Sequence, residues 1–293
     1  MDLQQLRYVV EVASTSSFTR AAERCFVTQS ALSHQIAALE REIGQRLFLR
    51  SSRRVQLTEA GEAFLIQARI AVAAADRAAE DAAAADARVV GTLRLGVIPT
   101  VTAVDVPKAL ARFRAAHPEV RVELQGGNSD DLVAGLRRGE IDVALLGLRD
   151  GSTPSGVQSR VLSRDALVLV LPKTHRLAER RALALADAAG ETFADFPTGT
   201  SGREQSDVAF TAAGIARDVA FEADSAALIL GLVSAGLAIT LLAPGVVPTS
   251  AEDVVTATVE DGPHRIEYVA WHEHAPRNVA RAFLDLLEVG TER

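Results

Sequence analysis

Residues 17–44, SFTRAAERCFVTQSALSHQIAALEREIG, decide how the rest of the chain is read. Ser17 is a favourable N-cap for a short helix whose apolar side holds Phe18, Ala21, Ala22 and Cys25. Phe26 and Val27 interrupt that pattern, and Thr28 is a favourable N-cap for a second helix. In it Leu32, Ile36, Leu39 and Ile43 recur at spacings of 4, 3 and 4, which makes one buried stripe. At about 100° per residue, Ser30, Ser33, His34, Ala37 and Arg41 fall toward the opposite face. That face is small, polar and free of bulky apolar groups. Taken alone it fits either a solvated helix surface or a helix that enters the DNA major groove and sets its N-terminal side chains on base edges.

The flanks favour the second reading. Upstream, Leu3, Leu6, Val9, Val10 and Ala13 make one side of a first helix over residues 3–13. Downstream, LFLRSSRRVQL (47–57) sets two short apolar segments around an arginine-bearing tip, the pattern of a β-hairpin. Beside a helix-turn-helix such a hairpin is a wing, with Arg50, Arg53 and Arg54 placed for phosphates or the minor groove. The charge agrees. Residues 1–58 carry eight arginines against five acids, net +3, although the whole chain is −7 and the remainder therefore −10. A basic module on an acidic body is the electrostatic footprint of nucleic-acid binding.

Thr58 then caps a long helix from Glu59 to about Asp86, whose middle is almost all alanine, the best helix former. Phe64, Ala68, Ala71, Ala75, Ala78, Ala82 and Ala85 form a heptad seam, and Leu65, Ala68, Val72, Ala75, Ala79 and Ala82 a second. The helix is either a rigid spacer or a dimerising element; paired half-sites favour the dimer. From Gly91 the pattern turns to βα alternation, with strands at 92–98, 120–124, 141–146, 166–171, 221–223, 238–242 and 266–271. Such alternation predicts a parallel sheet covered by helices. Ligands of open α/β sheets bind at helix N-termini beyond the strands' carboxyl ends. Thr100, Thr102, Asn128, Ser129, Thr198, Thr200 and Ser201 stand at such turns, as ligand contacts or merely as helix caps.

At 293 residues, 48% of them hydrophobic, the chain is expected to hold two or more domains with packed cores. No apolar run is long enough to span a bilayer, and MDLQQLRYVVEVAST (1–15) lacks a signal-peptide layout, so a cytoplasmic protein without membrane contact is expected. Cys25, the single cysteine, excludes an intrachain disulfide and reads as a small buried hydrophobe. The six histidines (34, 117, 175, 264, 272 and 274) are scattered, and neither a Gly-x-Ser-x-Gly nor a phosphate-loop signature appears. A solute-binding protein or enzyme with a helical arm is therefore the weaker reading. His272-Glu273-His274 reads as a solvated strand end rather than a metal site, and no cofactor is expected.

Four stretches carry a resemblance to LysR-type transcriptional regulators: residues 6–62, RFRAAHPEVRVEL (112–124), LRRGEIDVALL (136–146) and LVSAGLAITLL (232–242). The resemblance covers nearly the whole chain. It implies an α+β multidomain protein: a winged helix-turn-helix (1–58), a linker helix and hinge (59–90), and a two-lobed α/β effector domain (91–293) like type 2 periplasmic binding proteins. On that pattern lobe one is about 91–162 plus 267–293, and lobe two about 163–266. The resemblance places Thr28, Gln29, Ser30, Ser33 and His34 at base- and phosphate-reading positions and Arg50, Arg53 and Arg54 on the wing. His34 stands where the family usually has arginine. It places a small-molecule effector between the lobes, near Thr100, Thr102, Asn128, Ser129, Leu148, Thr200 and Ser201. The implied partners are double-stranded promoter DNA, further copies of the chain in a dimer and a tetramer, and RNA polymerase if the protein activates. Peroxide-sensing relatives use a cysteine pair in the effector domain. This chain has none there, which argues against thiol redox sensing.

Overall fold

The computed structural model describes residues 1–50, 55–84, 88–273 and 276–288, of Arg50 and Ala84 only the backbone. It divides into two compact units, Met1–Arg88 and Val89–Arg293. In chain order the first holds α1 (Leu3–Thr15), α2 (Phe18–Arg24), α3 (Gln29–Ile43), β1 (Phe48–Arg50), β2 (Val55–Leu57) and α4 (Glu59–Ala84). The second continues with β3 (Gly91–Val97), α5 (Val106–Ala116), β4 (Val120–Gly126), α6 (Ser129–Arg137), β5 (Val143–Arg149) and β6 (Val157–Ala166). Then come β7 (Val168–Pro172), β8 (Ala182–Leu183), β9 (Thr192–Asp195), α7 (Ser201–Ala212), β10 (Asp218–Glu222) and α8 (Ala226–Ser234). The chain closes with β11 (Thr240–Leu242), β12 (Val254–Val259), β13 (His264–His272) and α9 (Asn278–Leu286).

Polar side chains start the helices of the first unit. Asp2 and Gln5 form a reciprocal capping box on α1, Ser17 accepts from Arg20 N, and Thr28 accepts from Ala31 N. The stripe Leu32, Ile36 and Leu39 is fully buried against Val9, Val12, Ala21 and Leu47. Full burial of one such side chain is worth about 1.5–3 kcal/mol, so the stripe anchors α3 and leaves Gln29, Ser30, Ala31 and His34 exposed. β1 and β2 pair antiparallel, Phe48 opposite Leu57. The first turns of α4 bury Leu65 and Ala68 in this same unit. Of the two seams read from the sequence, Ala71, Ala78, Ala79 and Ala82 are exposed, and Ala85 lies outside the described residues. The largest exposed apolar groups on α4, Ile66 and Ile70, belong to neither seam.

The second unit has two lobes. Lobe one is a five-stranded sheet in the order β4-β3-β5-β13-β6. The fully parallel sheet expected from βα alternation is corrected here. β3, β4 and β5 are parallel, but β13 runs antiparallel to β5 and β6. Its chain returns from lobe two and enters at the opposite end. In lobe two β7 is likewise antiparallel to β11 and β12, while β9 and β10 form a parallel pair. The crossings fall after Ala166 and before His264, a few residues from positions 162 and 267, and Leu167 N donates to Pro263 O across them at 2.9 Å. β13 is buried from Arg265 to Trp271, with a sheet neighbour on either side. No helix among the described residues is long and apolar enough to cross a membrane.

Candidate functional site

The first candidate surface is the start of α3. Thr28, Gln29, Ser30 and Ala31 are all exposed, Ser33 is half-buried and His34 exposed. Thr28 Oγ1 accepts from Ala31 N at 3.3 Å and lies 3.1 Å from Ser30 Oγ, so the cap orders this polar turn. At the far end of α3, Glu40 Oε1 accepts from Leu47 N at 2.8 Å and Phe48 N at 3.1 Å. The edge-to-face pair Phe18–Phe48, centroids 5.7 Å apart, closes the same joint. The helix that offers Gln29, Ser30, Ser33 and His34 is thus fixed to the root of the β1–β2 hairpin. Arg53 and Arg54, read from the sequence as tip residues, lie outside the described residues, as does the side chain of Arg50. Cys25 caps the C-terminus of α2, half-buried, and burial followed by the Glu11 charge raises its thiol pKa, which disfavours thiolate chemistry.

The second candidate site is a cavity of about 600 Å³ between the lobes of the second unit. Thr100, Asn128, Ser129 and Thr200 line it, with Gly127, Phe196, Pro197, Gln205, Asp224 and Ser225. The N-termini of α6, α7 and α8 all open onto it, and the first N–H groups of a helix have no partner within the helix. Most hydroxyl and amide groups expected to face a ligand are committed elsewhere. Asn128 Oδ1 caps Asp131 N and its Nδ2 donates to Asp131 Oδ2. Ser129 Oγ donates to Gly147 O and accepts from Gly147 N. Thr200 Oγ1 donates to Pro197 O and accepts from Arg203 N. Thr102, Ser201 and Leu148 do not line the cavity. Ser201 Oγ donates to Asp130 Oδ2 at 2.7 Å, tying the lobes together alongside the Arg149–Glu204 ion pair at 3.2 Å. Leu148 is buried in the core with Ile98, Leu132 and Tyr268. Thr198 donates from its hydroxyl to Glu222.

Sequence reasoning missed Gln205, which is buried, lines the cavity, and sits one helical turn after Ser201; that spacing was the available signal. It also missed a buried anchor. Glu267 accepts from Thr102 N, Thr102 Oγ1 and Ala103 N, and from Arg265, which in turn donates to Thr100 O. Thr102 therefore serves as a fixing point for the loop that presents Thr100. His272 ends β13 and Glu273 after it is exposed, while His274 lies outside the described residues. No group of three or more metal-ligating side chains occurs among the described residues.

Behind Phe196, Asp195 accepts from Phe196 N at 2.7 Å and from Arg217 Nη1 at 2.5 Å. Arg217 also reaches Asp207 and lies over the rings of Phe193 and Phe210. Burial pushes the Asp195 carboxyl up to about 6, and the Arg217 charge offsets only part of that. The unfolded chain ionises this group near pH 3.9, the folded one near 6. Its contribution is thus complete below the lower value and declines as pH rises through the upper one, by about 2–3 kcal/mol in all. Urea unfolding from pH 4.5 to 7 should show this decline for the natural chain relative to Asp195→Asn; parallel curves would contradict it.

Residues 3–62 match the family described as bacterial regulatory helix-turn-helix protein, lysR family, and residues 86–290 match the LysR substrate binding domain. The transcriptional dual regulator GltC of Bacillus subtilis (strain 168) is 34% identical over 242 residues, 83% of this chain and 80% of that protein. The HTH-type transcriptional regulator ShiR of Corynebacterium glutamicum (strain R) is 31% identical over 292 residues, 98% of both. The fold matches full-length CbnR, solved with its target DNA, at a TM-score of 0.68 and 26% identity, over 98% of this chain and 99% of that one. The chain therefore belongs to the LysR family: it is a DNA-binding transcriptional regulator with a substrate-binding effector domain, and not an enzyme.

Proposed function

We propose that the exposed first turn of α3 reads base edges in the major groove of promoter DNA, with Gln29, Ser30, Ser33 and His34 selecting sequence. The observation that carries this is the division of α3: a fully buried stripe holds one side, and a capped, small, polar turn is left open on the other. Arg50, Arg53 and Arg54 bind phosphate or the minor groove and supply much of the affinity, since only Arg41 adds fixed positive charge to the open face of α3. CbnR, bound to its target DNA, supports this use of the fold. Two chains pair through α4, where Ile66 and Ile70 offer the larger apolar groups, and pairs assemble into tetramers on double half-sites. The protein works in the cytoplasm. A small molecule in the interlobe cavity, whose size suits such a ligand, shifts the assembly on DNA, and an activating form touches RNA polymerase.

A gel-shift titration on DNA upstream of the chain's own gene tests this reading. Salt-sensitive, sequence-selective binding by a dimer or tetramer is expected, and its absence would sink the proposal. Arg53→Ala should weaken binding to all sequences and lower the salt slope by about 1. Substitutions at Ser33 or His34 should instead change the preferred sequence, at about 1–3 kcal/mol per affected base pair. Equal losses on every sequence from both classes would contradict the division of labour.

A further inference from the structure

Phe26 carries two local costs with no visible return among the described residues. It sits in the left-handed region at φ 56°, where a bulky side chain is a genuine outlier. It is also the most exposed large hydrophobic side chain among the described residues, at 88%. The turn between α2 and α3 needs the backbone shape: Phe26 N donates to Glu23 O and Val27 N to Ala22 O. Asparagine or glycine would take that shape at lower cost. The ring lies outside the core of its unit, whose aromatic pair is Phe18 and Phe48.

Its position supplies a use. Phe26 stands two residues before the cap of α3, and exposed Thr28, Gln29, Ser30 and Ala31 follow it closely in the chain. A helix start seated in the major groove brings a neighbouring apolar ring to the one apolar feature that groove offers, the thymine C5 methyl group. We propose that Phe26 is a specificity-determining residue that packs on a thymine methyl beside the bases read by α3. This rests on the assignment of α3 to the groove.

Duplexes enriched from a random library by the full-length chain supply the probe. Each dT of an enriched duplex is then replaced in turn by dU, which removes only the methyl group. The natural protein should lose about fourfold in affinity at one thymine per half-site. Phe26→Asn should melt no lower than the natural chain, because asparagine tolerates the left-handed region. It should bind the unmodified duplex about five- to tenfold more weakly and lose the dU penalty at that one position, keeping any penalty elsewhere. If Phe26→Asn retains the penalty, or no thymine shows one, the inference is overturned while the groove assignment stands. A ring held out for a protein partner gives that result. If the intact chain enriches no sequence, the groove assignment itself fails and this inference with it.

Discussion

Gly61→Ala is expected to abolish DNA binding while leaving the unit from Val89 onward folded. A Cβ on Gly61 would lie 2.1 Å from the carbonyl oxygen of Leu47 and 3.0 Å from its carbon. Both atoms are backbone, so no rotamer change relieves the clash. The same carbonyl accepts from Thr58 N at 2.9 Å, and Thr58 Oγ1 donates to Arg46 O at 2.6 Å. Helix α4 therefore begins directly on the strand that enters the hairpin, and only a residue without a side chain permits that approach. Overpacking usually costs about 1–3 kcal/mol, occasionally more. Here the cost should exceed about 3 kcal/mol, because α4 and β1 must separate and both contribute to one core through Leu47, Phe48 and Leu65. Calorimetry of the full chain should show the transition of the first unit lowered or lost and that of the second unchanged, with gel shifts abolished. A Gly61→Ala protein that melts and binds like the natural one would refute the close approach.

Glu267→Ala should be the most damaging single change in the effector domain. The carboxylate is fully buried and meets four donors: Thr102 N at 3.0 Å, Thr102 Oγ1 at 2.6 Å, Ala103 N at 3.0 Å, and Arg265. Removal leaves buried Arg265 with Asp165 at 3.5 Å as its remaining anionic partner among the described residues. Breaking a buried pair from one side typically costs about 3–5 kcal/mol, since the other charge stays uncompensated. The loop carrying Thr100 loses its anchor at the same time, so effector response should fall with stability. Glu267→Gln keeps an acceptor and the shape, and about half the loss is expected. Urea unfolding of the full chain, followed through the transition of the second unit, checks the order. A Glu267→Ala protein within about 1 kcal/mol of the natural one would contradict it.

Short-range features were the most legible in the sequence. Ser17, Thr28 and Thr58 each cap a helix as their positions predict, because capping depends only on neighbours a few residues away. The stripe of α3 was equally plain, since its period alone defines it. The edge strand β6 was not. β6, VQSRVLSRDA, carries four charged or amide side chains and buries none of its residues, so nothing in its pattern announces a strand. The direction of β13 depends on where the chain returns from, which no local pattern records. The same limit governed the cavity. A polar side chain at a helix start can serve the helix, a ligand or both, and only the geometry shows that Asn128, Ser129 and Thr200 hydrogen-bond within the protein. Sheet neighbours on both sides and the loop of Thr102 enclose Arg265 and Glu267, and no local pattern records those neighbours.

The backbone of Leu47 also has a geometric meaning for the proposed assembly. The side chain of Glu40 accepts from the N–H of Leu47, and the carbonyl of Leu47 receives the start of α4, so α3 and α4 meet at one joint. The angle between them is a property of each chain, set before any partner or DNA is met. If two chains pair along α4 and read DNA through α3 as proposed, that angle acts like the locked joint of a draughtsman's compass. It then sets the stride between the two α3 helices, and so the number of base pairs that must separate their half-sites.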